Sequence, residues 1–89
     1  MTEPRLDQLR SEIDRLDRRM LELLKQRAAL ALAIGRLKKA AGRPVLDPTR
    51  EAEILARLGR QARPLSPEAV QNIFKAVIQA CRRLEEKDR

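Results

Sequence analysis

The sequence predicts an all-α fold of three helices, with one long N-terminal helix that pairs with another copy in a helical dimer. Apolar residues recur three and four positions apart over most of the chain, as they do on one face of a helix. Two short segments, one with Gly and Pro and one with Pro and Ser, divide this pattern, and no segment alternates as a strand would. The 89 residues predict a single domain, 1–89, in which we expect residues 83–89 to form a charged tail.

The first helix is predicted to run from near Pro4 to about Ala40, because this stretch has no internal proline or turn cluster. At 1.5 Å per residue it is roughly 50 Å long, which is too long for so short a chain to cover. A seven-residue apolar repeat favours pairing with another helix, so we expect dimerisation. The repeat consists of Leu6, Leu9, Ile13, Leu16, Met20, Leu23, Leu30, Ile34 and Leu37.

Two further helices are each predicted from a capping signal. In "AAGRPVLDP", Gly42 ends the first helix and Asp47 caps a second helix at about 48–62. In "ARPLSPEAV", Ser66 caps a third helix from 67 to about 86. The predicted apolar stripes are Ile54, Leu55 and Leu58 on the second helix, and Val70, Ile73, Phe74, Val77, Ile78, Cys81 and Leu84 on the third.

Charge and composition narrow the possible functions. The formal net charge of +7 and the sequence pI of about 10.7 favour an anionic partner. A single cysteine cannot form an internal disulfide, and neither a signal core nor an apolar run of membrane-spanning length occurs. We therefore expect a cytoplasmic protein with no membrane partner. Because the chain has no His, no Cys pair, no Gly-rich phosphate loop and no Ser/His/Asp set, we expect neither a metal site nor a nucleophilic triad.

A basic helical dimer that binds nucleic acid is one interpretation of this charge. Against it, the basic residues are interleaved with acidic ones instead of being gathered on one face. The chain also has no aromatic stacking platform and no helix-turn-helix spacing. We therefore expect no nucleic-acid partner.

Arg27 occupies the one position of the apolar repeat that carries a charge. An arginine whose stem packs while its head reaches water would be ordinary there. However, Lys38 follows eleven residues later, nearly on the same helix face and ~16 Å along it. Two aligned cations could frame an anionic ligand, and "DPTRE" adds Asp47, Arg50 and Glu51 at the start of the second helix.

The end of the third helix adds Cys81 and Glu85, one turn apart. With no His to activate it, the thiol has no support as a nucleophile. An enzyme built from these residues would work without a conventional proton shuttle or covalent intermediate. It would instead use electrostatic contacts to position a substrate that rearranges within its own molecule.

The combined pattern resembles the all-helical (AroQ-class) chorismate mutases over nearly the whole chain. The residues that carry the resemblance are Arg10, Arg27, Lys38, the segment "GRPVLDPTRE", Cys81 and Glu85. The resemblance implies an intertwined homodimer whose active sites borrow from both chains. It also implies the pericyclic rearrangement of chorismate, a small dicarboxylate, to prephenate in phenylalanine and tyrosine biosynthesis, without a cofactor.

By this resemblance, Arg27 and Arg10 of the partner subunit clamp the two carboxylates through bidentate guanidinium forks. Lys38 contacts a carboxylate and the ether oxygen. Glu51, with the backbone near Asp47, holds the ring hydroxyl, and Arg50 bounds the pocket beside them.

Two positions depart from the commonest bacterial pattern. Cys81 stands where many relatives have a small hydroxyl residue in contact with a carboxylate, and a thiol is a weaker donor. Glu85 stands where many have a glutamine facing the ether oxygen, so it must carry a proton in order to donate there. The resemblance assigns the catalytic roles to Lys38, Glu85 and Arg27.

A related enzyme on the same scaffold, isochorismate-pyruvate lyase, is the alternative. It acts on an isomeric dicarboxylate. The connection from Lys38 to Asp47 and the intact "TRE" favour the mutase.

Overall fold

The computed structural model describes residues 3–89, so residues 1 and 2 of the predicted domain lie outside the described part. It contains three helices: α1 (Pro4–Ala40), α2 (Pro48–Arg60) and α3 (Pro67–Asp88). No strand occurs between residues 3 and 89, and the predicted all-α class is confirmed. All three helices begin where the sequence predicts. The second ends two residues before the predicted position 62, and the third continues two residues beyond position 86.

Local signals account for the helix boundaries. The Asp47 side chain accepts a hydrogen bond of 3.1 Å from the backbone N–H of Arg50, and Ser66 Oγ accepts one of 3.0 Å from Ala69. Gly42 has φ +68°, a left-handed conformation that glycine adopts without a steric penalty, and it follows directly on the end of α1. These contacts turn the chain twice and bring α2 and α3 back beside the second half of α1.

Helix α3 holds the fold together. It packs against both α1 and α2, whereas α1 and α2 make no direct helix contact within the described chain. The molecule is consequently elongated, at 58 × 26 × 15 Å. Its small core comprises Ala31, Val45, Ile54, Ala62, Ile78 and Cys81.

The apolar repeat of α1 is not what α3 covers. Its buried residues are Ala31 and Gly35, each next to a repeat residue, because their small size lets the two helices approach closely. Across the first half of α1, the repeat residues from Leu6 to Leu23 are between 40% and 57% exposed. A row of large apolar side chains in water is typical of a surface that pairs with another protein.

The charged residues at the C-terminus continue helix α3. Helix α3 continues to Asp88, whose carboxylate lies 3.2 Å from Nε of Arg36 on α1. Arg89 donates a 2.7 Å hydrogen bond to the backbone carbonyl of Arg43, in the loop after α1. An exposed ion pair and an exposed hydrogen bond thus join the end of α3 to α1 and to the loop after it, although exposed ion pairs contribute at most ~1 kcal/mol each. None of the described helices is long and apolar enough to span a bilayer.

Candidate active site

A cavity of about 260 Å³ opens between the second half of α1, the α1–α2 loop, the start of α2 and the end of α3. Its apolar wall includes Leu30, Ile34, Val45, Ile54 and Ile78. Seven of the eight site residues expected from the sequence line it: Arg27, Lys38, Asp47, Arg50, Glu51, Cys81 and Glu85. One cavity therefore collects charged residues from three helices against an apolar background.

The eighth expected residue, Arg10, does not reach this cavity within the chain. It lies on the exposed first half of α1, seventeen residues before Arg27 and therefore about 25 Å away along the helix. No fold of this single chain can bring it closer, because α1 is one continuous helix between the two residues.

Arg27 forms one side of the cavity. Its Nη1 donates to Sγ of Cys81 at 3.2 Å, which links α1 to α3 across the cavity wall. A guanidinium has five N–H donors, so this contact orients the group and leaves donors for a ligand. Cys81 is buried with a free thiol, and in this structure it acts as the acceptor.

Lys38 and Glu85 face each other at the other side. Lys38 Nζ donates a 2.8 Å hydrogen bond to the backbone carbonyl of Val45 and lies 4.0 Å from Oε2 of Glu85. Glu85 is only 8% exposed, and its Oε2 has no hydrogen-bond partner among residues 3–89. Leaving a buried polar atom unsatisfied costs ~1–3 kcal/mol, so Oε2 is a strong candidate for contact with a ligand.

Gly35 explains how Glu85 reaches this place. A Cβ at position 35 would lie 3.1 Å from Cγ of Glu85 and 3.4 Å from its Oε2. A glycine within a helix costs ~1 kcal/mol relative to alanine. Here that cost gives Glu85 room to lie directly against the backbone of α1.

The start of α2 supplies the third side. Both carboxylate oxygens of Glu51 accept hydrogen bonds from Nη1 of Arg82 on α3, at 3.1 and 2.9 Å. Asp47 caps the helix, and Arg50 extends outward to Glu53 at 3.3 Å. The cap and the Arg82 contact together fix Glu51 at the cavity edge.

Sequence reasoning did not identify Arg82, which also lines the cavity. It lies one residue after Cys81 and three before Glu85. Helical spacing places residues three apart on neighbouring positions of one face, so the signal was present in "CRRLEE".

The charges of the cavity favour an anionic ligand. Four cations line it, namely Arg27, Lys38, Arg50 and Arg82, against the three acidic residues Asp47, Glu51 and Glu85. Since Arg82 and Glu51 pair with each other, Arg27 and Lys38 on α1 are the inward donors available to a small molecule with several acceptor oxygens. Among residues 3–89, no three His, Cys, Asp or Glu side chains are grouped so that they could hold a metal ion.

Comparison with known proteins shows which family this chain belongs to. The sequence profile described as chorismate mutase type II matches residues 9–86. The chain belongs to this family. The matched segment includes α1 from just before Arg10 onward, all of α2, and α3 as far as residue 86, with Cys81 and Glu85.

Relatives of known sequence agree with this membership in the type II chorismate mutases. The chain is 40% identical over 87 residues to a bifunctional chorismate mutase/prephenate dehydratase of Aquifex aeolicus, a match covering 92% of this chain. The chain spans only 24% of that relative's length. An intracellular chorismate mutase of Mycobacterium tuberculosis is 44% identical over 54 residues, covering 61% of this chain and 51% of the relative.

Solved structures of chorismate mutases have the same fold. The form II structure of the Thermus thermophilus enzyme superposes with a TM-score of 0.90 at 41% identity, over 92% of this chain and 94% of that one. The enzyme of Helicobacter pylori, solved in complex with prephenate, gives a TM-score of 0.88 at 34% identity, over 96% of this chain and 93% of that one.

Proposed function

We propose that this chain catalyses the rearrangement of chorismate to prephenate, as a step of phenylalanine and tyrosine biosynthesis in the cytoplasm. The observation that carries the proposal is the convergence of Arg27, Lys38 and Glu85 on one cavity in a member of the chorismate mutase type II family. The complex of the Helicobacter pylori relative with prephenate supports the same substrate class.

The proposed reaction needs binding and electrostatics only. In chorismate the ether C–O bond breaks while a new C–C bond forms within the same molecule, so no atom enters or leaves. Negative charge grows on the ether oxygen in the transition state. Donors fixed around that oxygen before the reaction stabilise the transition state more than the substrate, and so accelerate the step.

Each inward donor has a place in this scheme. Arg27, oriented by Cys81, binds one carboxylate through its remaining N–H groups. Lys38, held by the Val45 carbonyl, binds a carboxylate and donates to the ether oxygen. Glu85, when protonated, donates to the same oxygen through Oε2, the atom that has no hydrogen-bond partner among the described residues.

Residues at the start of α2 bind the ring hydroxyl and form the boundary of the pocket. Glu51 accepts the hydrogen bond of the ring hydroxyl, together with the backbone near Asp47. Arg50 bounds the pocket beside them. All three residues line the same cavity as Lys38 and Glu85.

We also propose that the active form is a homodimer with shared sites. The exposed apolar row from Leu6 to Leu23 offers a surface for a second copy of α1. Arg10 lies on that same stretch, ~25 Å from its own cavity. In a paired arrangement of two such helices, Arg10 of the partner subunit supplies the second carboxylate clamp.

A direct assay tests the proposal. Purified chain is incubated with chorismate, and the loss of chorismate and the formation of prephenate are followed. Isochorismate is tested in parallel, because the alternative enzyme of this scaffold would release pyruvate from it. Formation of prephenate supports the proposal, whereas pyruvate from isochorismate without prephenate from chorismate contradicts it.

A further inference from the structure

We propose that Arg82 is a positioning residue for this site. It holds the Glu51 side chain in place and neutralises its charge, so that the Glu51 carboxylate does not repel a ligand with two carboxylates. The inference rests on the proposed function. It goes beyond that function because Arg82 is given a role through Glu51, with no contact to substrate.

The geometry of the pair is well defined. Arg82 Nη1 donates to both carboxylate oxygens of Glu51, at 2.9 and 3.1 Å, across the packed faces of α3 and α2. The two side chains are 26% and 27% exposed, so each is largely removed from water. Within residues 3–89, Arg82 supplies both side-chain hydrogen bonds that the Glu51 carboxylate accepts.

The need for such a pair follows from charge. An ionised Glu51 beside a ligand with two carboxylates would repel it, and the low dielectric of a half-enclosed cavity strengthens that repulsion. Arg82 removes this penalty by neutralising Glu51 from the side of α3. Each carboxylate oxygen has two lone pairs, so Glu51 can still accept a hydrogen bond from a hydroxyl.

Position favours an indirect role for Arg82. Nη1 of its guanidinium is engaged by both oxygens of Glu51. On α1, Arg27 is bound by a thiol, and Lys38 is bound by a backbone carbonyl and lies 4.0 Å from Glu85 without a hydrogen bond to it. Arg50 pairs with Glu53, which does not line the cavity. Arg82 is therefore the cavity cation that is hydrogen-bonded to an acidic residue of the same cavity.

A double-mutant cycle tests the inference. The variants are Arg82→Met, Glu51→Gln and the double variant, with Arg83→Met as a control that removes the same charge from an exposed neighbour on α3. KM and kcat for chorismate are measured, and folding is followed by circular dichroism. We expect Arg82→Met to raise KM about tenfold relative to Arg83→Met, since it leaves Glu51 unpaired.

The double variant decides the mechanism. If Arg82 acts only through Glu51, then removing both charges gives a KM within about twofold of Glu51→Gln alone, because the unpaired carboxylate is gone. A merely structural role would not produce this rescue of KM. If the increase in KM of the double variant equals the product of the increases of the two single variants, Arg82 contacts the substrate itself, and the inference is overturned.

Two further outcomes are also decisive. If Arg82→Met has the same KM as Arg83→Met, the inference is overturned. The proposed function is then left intact, since the parent chain still turns over chorismate. If Arg82→Met does not fold, Arg82→Lys retains the charge and is expected to stay within about threefold of the parent KM; a loss equal to that of Glu51→Gln would contradict charge cancellation. A parent chain without chorismate turnover overturns the proposed function, and this inference with it.

Discussion

Gly35 of α1 and Glu85 of α3 touch backbone to side chain, with only 3.1 Å between Cγ of Glu85 and the place where a Cβ of residue 35 would be. This contact lets the carboxylate of Glu85 lie 4.0 Å from Lys38, with Oε2 buried and without a hydrogen-bond partner among residues 3–89. The absence of a side chain at position 35 therefore helps to set the geometry of the proposed catalytic pair.

Gly35→Ala is expected to reduce kcat roughly tenfold, because displacing Glu85 by even part of an ångström misaligns its donor with the ether oxygen. Helix propensity changes in the opposite direction, by ~1 kcal/mol in favour of alanine. The measurement is kcat for chorismate beside the thermal midpoint. If the thermal midpoint falls together with kcat, the variant has lost activity because it is less stable, and this would contradict a local displacement of Glu85.

Glu85→Ala is expected to lower kcat roughly a hundredfold, because alanine has no group that can donate a hydrogen bond to the ether oxygen. Glu85→Gln is expected to keep more activity than Glu85→Ala, since an amide can donate from nearly the same position. The measurement is kcat for chorismate with both variants, and equal losses in the two would contradict a donor role for residue 85.

Lys38→Ala is expected to lower kcat roughly a hundredfold or more, since losing one donor to the developing oxyanion costs ~3–4 kcal/mol of transition-state stabilisation. Arg27→Ala should have a comparable effect through the loss of a carboxylate clamp. Lys39→Ala is the matched control, because Lys39 is the exposed neighbour of Lys38 and lies outside the cavity. The three variants should share one circular dichroism spectrum, and comparable losses in all three would argue against specific roles.

Mixing two inactive variants is expected to restore activity. Arg10→Ala and Arg27→Ala each disable both sites of a shared-site homodimer. In a mixed dimer, one site receives Arg27 from one chain and Arg10 from the other, while the second site receives neither. Random exchange should therefore restore about a quarter of the parental activity. Each variant alone gives the baseline, and a mixture that stays at this baseline after subunit exchange would contradict sharing.

Local chemistry made the fold predictable. Asp47 and Ser66 cap their helices as their positions before Pro48 and Pro67 indicate, and Gly42 adopts the left-handed conformation that a helix end favours. The site residues on these helices then meet, because the turns place α3 against the half of α1 that carries Lys38 and place α2 against α3.

The unpredicted features depend on contacts between helices. The apolar repeat of α1 does not reveal that α3 packs on Ala31 and Gly35, since this choice depends on which face lets two helices approach closely. Likewise, the pairing of Arg82 with Glu51 joins residues 31 positions apart. Neither relationship has a local sequence signature, because each is set by how α3 lies on its neighbours.

In the proposed homodimer, the uncovered first half of α1 would also make folding depend on the concentration of the protein in the cell. If two copies must meet before these leucines leave the water, then assembly contributes to the stability of each chain, and dilution weakens it. A newly made chain would remain only marginally stable until it encountered another, so its lifetime would depend on its abundance.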